Sequence, residues 1–233
     1  MAGRRLIIWL LVIVVLVTGA IIVAPAVVAW RVEAAIAQEF PGTTDVDVRV
    51  RTAPWRLIRG TLDRVEVEAR RAPTGGIIAD QLSVRLRDVQ LDLSRLMLER
   101  TLAVARVGDG EGMVLLRHED LARYLATAKG MGRAVVTLAG GVVTIEGDVR
   151  VGAADLRARL EGRLVVVSPT TVDLHVQTLT VSGVEIPAEI GRVLVSGLNP
   201  LITLQGLPVP VRIESVAVEE GKVHMRLRVG DRI

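Results

Sequence analysis

An alternation of apolar and polar residues with a period of two constrains the fold of this chain more than any other feature. In Thr44–Arg51 (TDVDVRVR), valine stands at every second position between Asp and Arg. Successive side chains of a β-strand point to opposite faces, so this pattern is typical of a strand with one buried and one solvated face. The pattern recurs in Leu62–Arg70, Leu82–Leu93, Val142–Val151, Leu156–Val167 and Val172–Val181. The sequence therefore predicts a molecule rich in antiparallel sheet.

The clearest pair of strands closes the chain. Val211–Glu219 (VRIESVAVE) and Lys222–Val229 (KVHMRLRV) both alternate, and only Glu220 and Gly221 separate them. A short linker that contains glycine is suited to a tight turn between antiparallel strands. We expect a β-hairpin here.

Helices are expected to be few and short. Residues Val32–Phe40 continue the preceding apolar stretch and stop at Pro41-Gly42. His118–Lys129 has two acids in its first turn and a lysine in its last, as the helix dipole favours. Pro187–Leu198 starts at a proline and ends before Asn199-Pro200, with apolar residues at helical spacing.

These elements together predict an α+β fold. The expected architecture is a long, curved and mainly antiparallel sheet packed on a few short helices. Residues 31–233 contain no long tract of Pro, Gly or Ser that would act as a linker, so they are predicted to form one domain after an N-terminal segment, residues 1–30.

The N-terminal segment carries 25 uncharged residues, Leu6–Trp30. At about 1.5 Å per residue a helix of this length crosses a hydrocarbon core of about 30 Å with some tilt. A secretory signal peptide has a shorter apolar region, of about 7–15 residues, although Ala24-Pro25-Ala26 would suit a cleavage site. Arg4 and Arg5 place the N-terminus in the cytoplasm. A retained single-pass anchor is preferred, with a cleaved and secreted form as the alternative, and either way the rest of the chain is extracytoplasmic.

Composition and motifs argue against several classes of function. Cysteine is absent, which excludes disulfides and cysteine-based metal sites. Beyond the anchor there are 27 basic and 26 acidic residues, with no basic cluster that would suit nucleic acid. His118, His175 and His224 share no metal-binding spacing. No serine lies in a nucleophile elbow. We predict no catalytic residue, metal site or cofactor, and no binding of nucleic acid.

Two short segments permit a structural and a functional interpretation. Gly108–Gly112 (GDGEG) is acidic and rich in glycine, but it lacks the ligand ladder of a calcium loop and is expected to be a plain hairpin loop. Pro54–Gly60 (PWRLIRG) interrupts the strand pattern with Trp55, Leu57 and Ile58 between Arg56 and Arg59. It suits a lipid headgroup surface, with guanidinium groups at phosphates. The alternative is a short helix that caps the sheet and buries Trp55.

The strand pattern resembles the LmeA-like phospholipid-binding family of bacterial envelope proteins. The resemblance is carried by Gly60–Ala69, Gly75-Gly76 and Leu82–Val89, and by Leu207-Pro208 with the closing hairpin. It implies an exported domain with an elongated sheet wrapped on helices, in the style of tubular lipid-binding folds. It also implies a role in envelope lipid or lipoglycan metabolism, with phospholipid and membrane as partners.

An aliphatic groove suffices for such a ligand, because each buried methylene contributes about 0.8 kcal/mol. Our hypothesis is that inward-facing strand and helix residues line it, and the alternative is that they form an ordinary dry core. A protein scaffold of the envelope and an enzyme acting on lipid-linked sugars are the other functions considered. The lining residues of the hypothesis are Val65, Val67, Leu82, Val84, Leu86, Ile190, Val193, Leu194 and Leu198, with Trp55, Leu57 and Ile58 beside them and Arg56 and Arg59 at the headgroup.

Overall fold

The structure is a computed structural model, and it describes residues 44–53, 55–56, 59–74, 76–92, 104–129, 131–151, 154–187, 197–204 and 209–230. These residues form two antiparallel sheets and one helix. In chain order the elements are β1 (Thr44–Arg51), β2 (Thr61–Thr74), β3 (Ile77–Leu91), β4 (Val104–Arg117), α1 (His118–Ala128), β5 (Gly132–Ala139), β6 (Val142–Val151), β7 (Ala154–Ser168), β8 (Thr171–Val181), β9 (Val184–Glu185), β10 (Ile202–Thr203), β11 (Val211–Glu219) and β12 (Lys222–Val229).

The first sheet has the strand order β1-β2-β3-β4-β12-β11. Its first four strands follow one another as hairpins, and the closing hairpin adds β12 beside β4. The second sheet has the order β10-β8-β7-β6-β5, with β9 paired to β8. Helix α1 joins the two, since it follows β4 of the first sheet and precedes β5 of the second.

Turn chemistry explains why these strands pair with their neighbours. Gly140 and Gly141 join β5 to β6, with φ of 57° and 79°. Two consecutive residues with positive φ make the turn that matches the twist of a two-residue hairpin, and glycine adopts it without steric cost. The sequence therefore specifies the register of this hairpin locally.

The two sheets share one apolar interior, which we call the main core. It contains buried residues of both sheets and of α1, such as Leu116 in β4, Leu125 in α1 and Ile145 in β6. Their side chains are 0–1% exposed. At roughly 25 cal/mol for each Å² of apolar surface removed from water, this interior is the main source of stability in a chain without disulfides.

Much of the predicted secondary structure is confirmed. The closing hairpin has the strand bounds expected from the sequence, with its turn at Glu220 and Gly221. Helix α1 ends one residue before the predicted Lys129. The alternating segments all form strands, and β2 and β7 extend beyond the predicted bounds at both ends. Strand β8 starts one residue early, and β3 starts at Ile77 instead of Leu82 but ends at Leu91 instead of Leu93.

The expected mainly antiparallel, sheet-rich fold is confirmed, but the described strands form two sheets with one helix rather than a single long sheet packed on a few helices. Apolar residues of both sheets meet in the main core, because each sheet has an apolar face that must be removed from water. Alternation shows that a strand has an apolar face, but it does not show whether a helix or a second sheet covers that face. The resemblance to tubular lipid-binding folds stays a prediction.

Several sequence predictions lie outside the described residues. These are the apolar segment Leu6–Trp30, the helix Val32–Phe40 and most of the helix Pro187–Leu198. Within the described part of the chain, no helix has the length and apolar character needed to cross a membrane. The division into an anchor and one following domain stays a prediction.

Candidate functional site

The inward face of the first sheet carries continuous rows of apolar residues. Register places Val50 of β1 opposite Val65 of β2, and Val65 opposite Leu86 of β3. The next row on the same face pairs Val67 with Val84. Cross-strand neighbours on one face lie about 4.5–5.5 Å apart at Cβ, so these side chains form a continuous apolar surface.

Part of this surface belongs to a second apolar cluster, which we call the distal core. Its partly buried members include Val67 and Val84, whose side chains are not fully covered. A surface of this kind offers aliphatic contacts without hydrogen-bond partners, which suits an acyl chain. The buried members are Val48, Leu62, Val65, Leu86, Val89, Val107 and Val229.

The glycine-rich segment of β4 lies beside these rows. Gly110 pairs with Leu86, and Gly112 pairs with Val84. A Cβ atom at Gly110 would lie 2.8 Å from the Arg85 carbonyl oxygen and 2.8 Å from Leu86 Cδ2. Glycine is therefore required where the Leu86 side chain leans across β4.

The expectation of a hairpin loop at Gly108–Gly112 is wrong, because all five residues lie inside β4. The sequence interpretation treated the glycines as turn residues. Glycine inside a strand also marks a close approach of a neighbouring chain, and contacts across β3 and β4 show that this second meaning applies here.

The described residues between β1 and β2, which we call the Trp55 turn, are 52–53, 55–56 and 59–60, at the end of the distal core. Trp55 and Arg56 are helical. The Trp55 side chain is 66% exposed. The alternative in which the turn buries Trp55 is therefore wrong.

Ion pairs and backbone hydrogen bonds hold the Trp55 turn against the sheet. The Arg56 guanidinium contacts the carboxylates of Asp63 in β2 and Asp88 in β3, the latter at 3.1 Å. The Ala53 N–H donates to Asp63 Oδ2 at 2.8 Å. The Arg56 charge is thus directed towards protein carboxylates, whereas the exposed Arg59 forms no ion pair with a residue that the structure describes.

The electrostatic environment favours the ionised form of Asp63. The hydrogen bond from the Ala53 N–H lowers the pKa of the Asp63 carboxyl below its usual value; partial desolvation opposes this effect, and Arg56 adds to it. Asp63 therefore holds the turn as a carboxylate at neutral pH.

The structure brings some of the predicted lining residues together and separates others. Val65, Val67, Val84 and Leu86 all belong to the distal core. Leu82 and Leu198 instead pack against the main core. The remaining predicted residues, Leu57, Ile58, Ile190, Val193 and Leu194, lie outside the described part of the chain.

Sequence reasoning missed several members of the distal core. Leu62 pairs with Val89, which pairs with Val107, and these three residues extend the cluster towards the Trp55 turn. Leu62 stands three positions from Val65, out of phase with the alternation that identified β2. Their proximity depends on the register of three strands, which the alternation does not specify.

The outward face of the first sheet is charged. A shallow depression there is lined by three arginines and three carboxylates together with Gly110. Among the residues that the structure describes, no three His, Asp or Glu side chains lie close enough to hold a metal ion. The charged lining residues are Arg64, Glu66, Arg85, Arg87, Asp109 and Glu111.

Comparisons with known proteins identify one family. The model of a family described as LmeA-like phospholipid-binding matches residues 19–228, which is most of the chain. No curated protein and no solved structure matches the chain.

Proposed function

The chain belongs to the LmeA-like phospholipid-binding family, and we propose that it is a membrane-tethered extracytoplasmic protein that holds a phospholipid acyl chain against the distal core. The observation that carries the proposal is the partly uncovered row of Val67 and Val84 beside the buried Val65 and Leu86. Arg59, at the end of this cluster, is the cation proposed for the headgroup phosphate.

The energetics of the proposal are favourable. Half of a 16-carbon chain contributes roughly 6 kcal/mol when it leaves water, at about 0.8 kcal/mol for each methylene, before the cost of association is subtracted. The contacts needed are aliphatic, and the distal core is built almost entirely from valine and leucine. The proposed activity is binding without catalysis, in envelope lipid or lipoglycan metabolism.

The test is the lipid content of the purified full chain, measured by solvent extraction and mass spectrometry. We expect stoichiometric phospholipid, and we expect Val84→Asp to lose it because a carboxylate in the row excludes methylenes. Val84→Phe should also reduce the lipid content, since it fills the site without adding charge. Circular dichroism checks that each variant is folded.

Val167→Asp is the matched control. Val167 is 55% exposed in β7 of the second sheet, so the same substitution there should leave the bound lipid unchanged. The proposal fails if the unaltered chain carries no phospholipid and takes up none from vesicles. A protein scaffold of the envelope would give that result.

A further inference from the structure

The Trp55 turn presents a large apolar side chain to solvent from a fixed position. Trp55 is 66% exposed, yet the neighbouring Arg56 is held by Asp63 and Asp88. The Arg59 N–H also donates to the Arg56 carbonyl oxygen at 3.0 Å. An exposed indole beside a residue held by ion pairs is a feature of surfaces that meet another apolar phase, because Trp places an apolar ring and a polar N–H at an interface.

A second exposed apolar side chain lies at the same end of the first sheet. The Leu91 N–H donates to the Gly60 carbonyl oxygen at 2.7 Å, which fixes the end of β3 against the Trp55 turn. Leu91 pairs with Val104 at the start of β4, and Val104 is 41% exposed. Trp55 and Val104 are thus two exposed apolar side chains at the same end of the first sheet.

A row of three arginines and one aspartate crosses the first sheet near this end. Arg51, Arg64 and Arg87 lie directly opposite one another on β1, β2 and β3. Asp109 of β4 lies opposite Arg87 at the end of this row, and none of the three arginines forms an ion pair with a described residue. Like charges in directly opposed positions, as at Arg51 and Arg64, destabilise a sheet. An anionic partner would remove this repulsion, and guanidinium groups bind phosphate through two parallel hydrogen bonds.

The local charge balance agrees with an anionic partner. Residues 51–64, 87–92 and 104–109 contain six arginines and four aspartates. Two of those aspartates, Asp63 and Asp88, already face Arg56. The charge left for a partner at this end is positive.

We propose that this end of the first sheet docks on the surface of an anionic phospholipid bilayer, with Trp55 at the level of the headgroups and the arginine row at the phosphates. The choice of lipid as the partner rests on the proposed function. Leu62, Val89 and Val107 then connect the docked end to the rest of the distal core. This places the lipid-binding face next to the membrane from which an acyl chain enters.

The test uses Trp55 itself as the probe in the full chain. Trp9→Phe and Trp30→Phe leave Trp55 as the sole tryptophan. The protein is reconstituted in phosphatidylcholine vesicles with or without phosphatidylglycerol, and some of these lipids carry a nitroxide at the headgroup or along the acyl chain. We expect a blue shift and loss of most Trp55 emission to shallow nitroxides when phosphatidylglycerol is present.

The control moves the tryptophan to the second sheet by combining Trp55→Phe with Val184→Trp in the same background. Val184 is 63% exposed in β9, and the emission of the tryptophan placed there should be unaffected by nitroxides. Arg59→Gln should lower the quenched fraction at Trp55, and so should high salt, since the Debye length falls from about 10 Å at 0.1 M to about 3 Å at 1 M. Acyl-chain binding is measured separately on the same samples by lipid extraction.

Each outcome decides the docking proposal. Quenching of Trp55 by nitroxide lipids, whether they are in the vesicle that holds the protein or in separate acceptor vesicles, supports it and identifies the membrane that is contacted. Equal quenching of Trp55 and of the tryptophan at position 184, or none at either, overturns it. Retained lipid with an unquenched Trp55 would overturn docking while leaving the proposed function intact.

Discussion

Asp63 shows how one carboxylate sets the conformation of the Trp55 turn. It accepts the Ala53 N–H and faces the Arg56 guanidinium, and both interactions are stronger with its ionised form. Removing a hydrogen bond to a charged group costs about 1.5–3 kcal/mol, and the partial exposure of Asp63 reduces this figure. Asp63→Asn should therefore lower the free energy of unfolding by about 1 kcal/mol at neutral pH.

The pH dependence of this loss follows from the lowered pKa of Asp63. Because the pKa of Asp63 is lower in the folded than in the unfolded state, ionised Asp63 stabilises the fold fully above the unfolded-state pKa of about 3.9. This stabilisation is lost as the pH falls through the folded-state pKa. Denaturant unfolding of the unaltered protein and of Asp63→Asn should thus give a difference that is constant above about pH 5 and shrinks below pH 4. A constant difference down to pH 3 would contradict the assignment. Glu185→Gln removes a carboxylate that is exposed in β9 opposite Thr180, so it is the matched control and should be neutral at pH 7.

At the scale of the element, the pairing of β7 with β8 depends on the absence of a side chain at Gly162. A Cβ atom there would lie 2.5 Å from the His175 carbonyl oxygen and 3.0 Å from Val176 Cα. Both are backbone atoms of the adjacent strand, so the clash cannot be relieved by a rotamer change. Overpacking typically costs about 1–3 kcal/mol.

Gly162→Ala is therefore expected to lower the melting temperature by about 2–4 °C for each kcal/mol lost. Thermal unfolding followed by circular dichroism measures the change. Gly197→Ala is the control, because a Cβ atom there meets nothing within 4 Å and the backbone φ is not in the left-handed region. Equal stability of the two variants would mean that β7 and β8 separate at little cost.

The strands themselves were accessible from sequence because their signal is local. Alternation and a turn residue identify Val211–Glu219 and Lys222–Val229 with the bounds that the structure has. The strand position of Gly110 could not be predicted in this way, since glycine is required there by the Leu86 side chain of the neighbouring strand. The division into two sheets could not be predicted from the alternation either, because it depends on which apolar faces pack against each other.

The candidate site was predictable to the same degree. Val65, Val67, Val84 and Leu86 follow from the alternation of β2 and β3, and the structure places all four in one apolar cluster, while their role in lipid binding stays a prediction. Leu62 and Val107 required the register of β2, β3 and β4. The sequence left open whether Trp55 is exposed or buried. Its exposed position in the structure accompanies the contact of Arg56 with Asp63, which the sequence pattern does not specify.

For the whole molecule, the remaining geometric question is whether the docking end can reach the membrane that anchors the chain. Residues 31–43 separate the proposed anchor from β1, and they span at most about 45 Å when fully extended, or about 27 Å if Val32–Phe40 forms the predicted helix. Strand β1 is about 27 Å long at 3.4 Å per residue, and the Trp55 turn follows its far end. The linker is therefore long enough for the turn to contact the anchoring bilayer, so a retained anchor is compatible with local uptake of lipid.

We expect the anchor to be retained, because Leu6–Trp30 is longer than the apolar region of about 7–15 residues found in signal peptides. The protein should stay in the membrane fraction after alkaline carbonate washing, and its intact mass should include the apolar segment. Gly3→Arg, which adds a third arginine before the apolar segment, is the matched control and should change neither result. A soluble form whose mass begins after Ala26 or Ala29 would contradict retention, and it would make the protein a carrier that leaves its membrane rather than one that takes up lipid beside it.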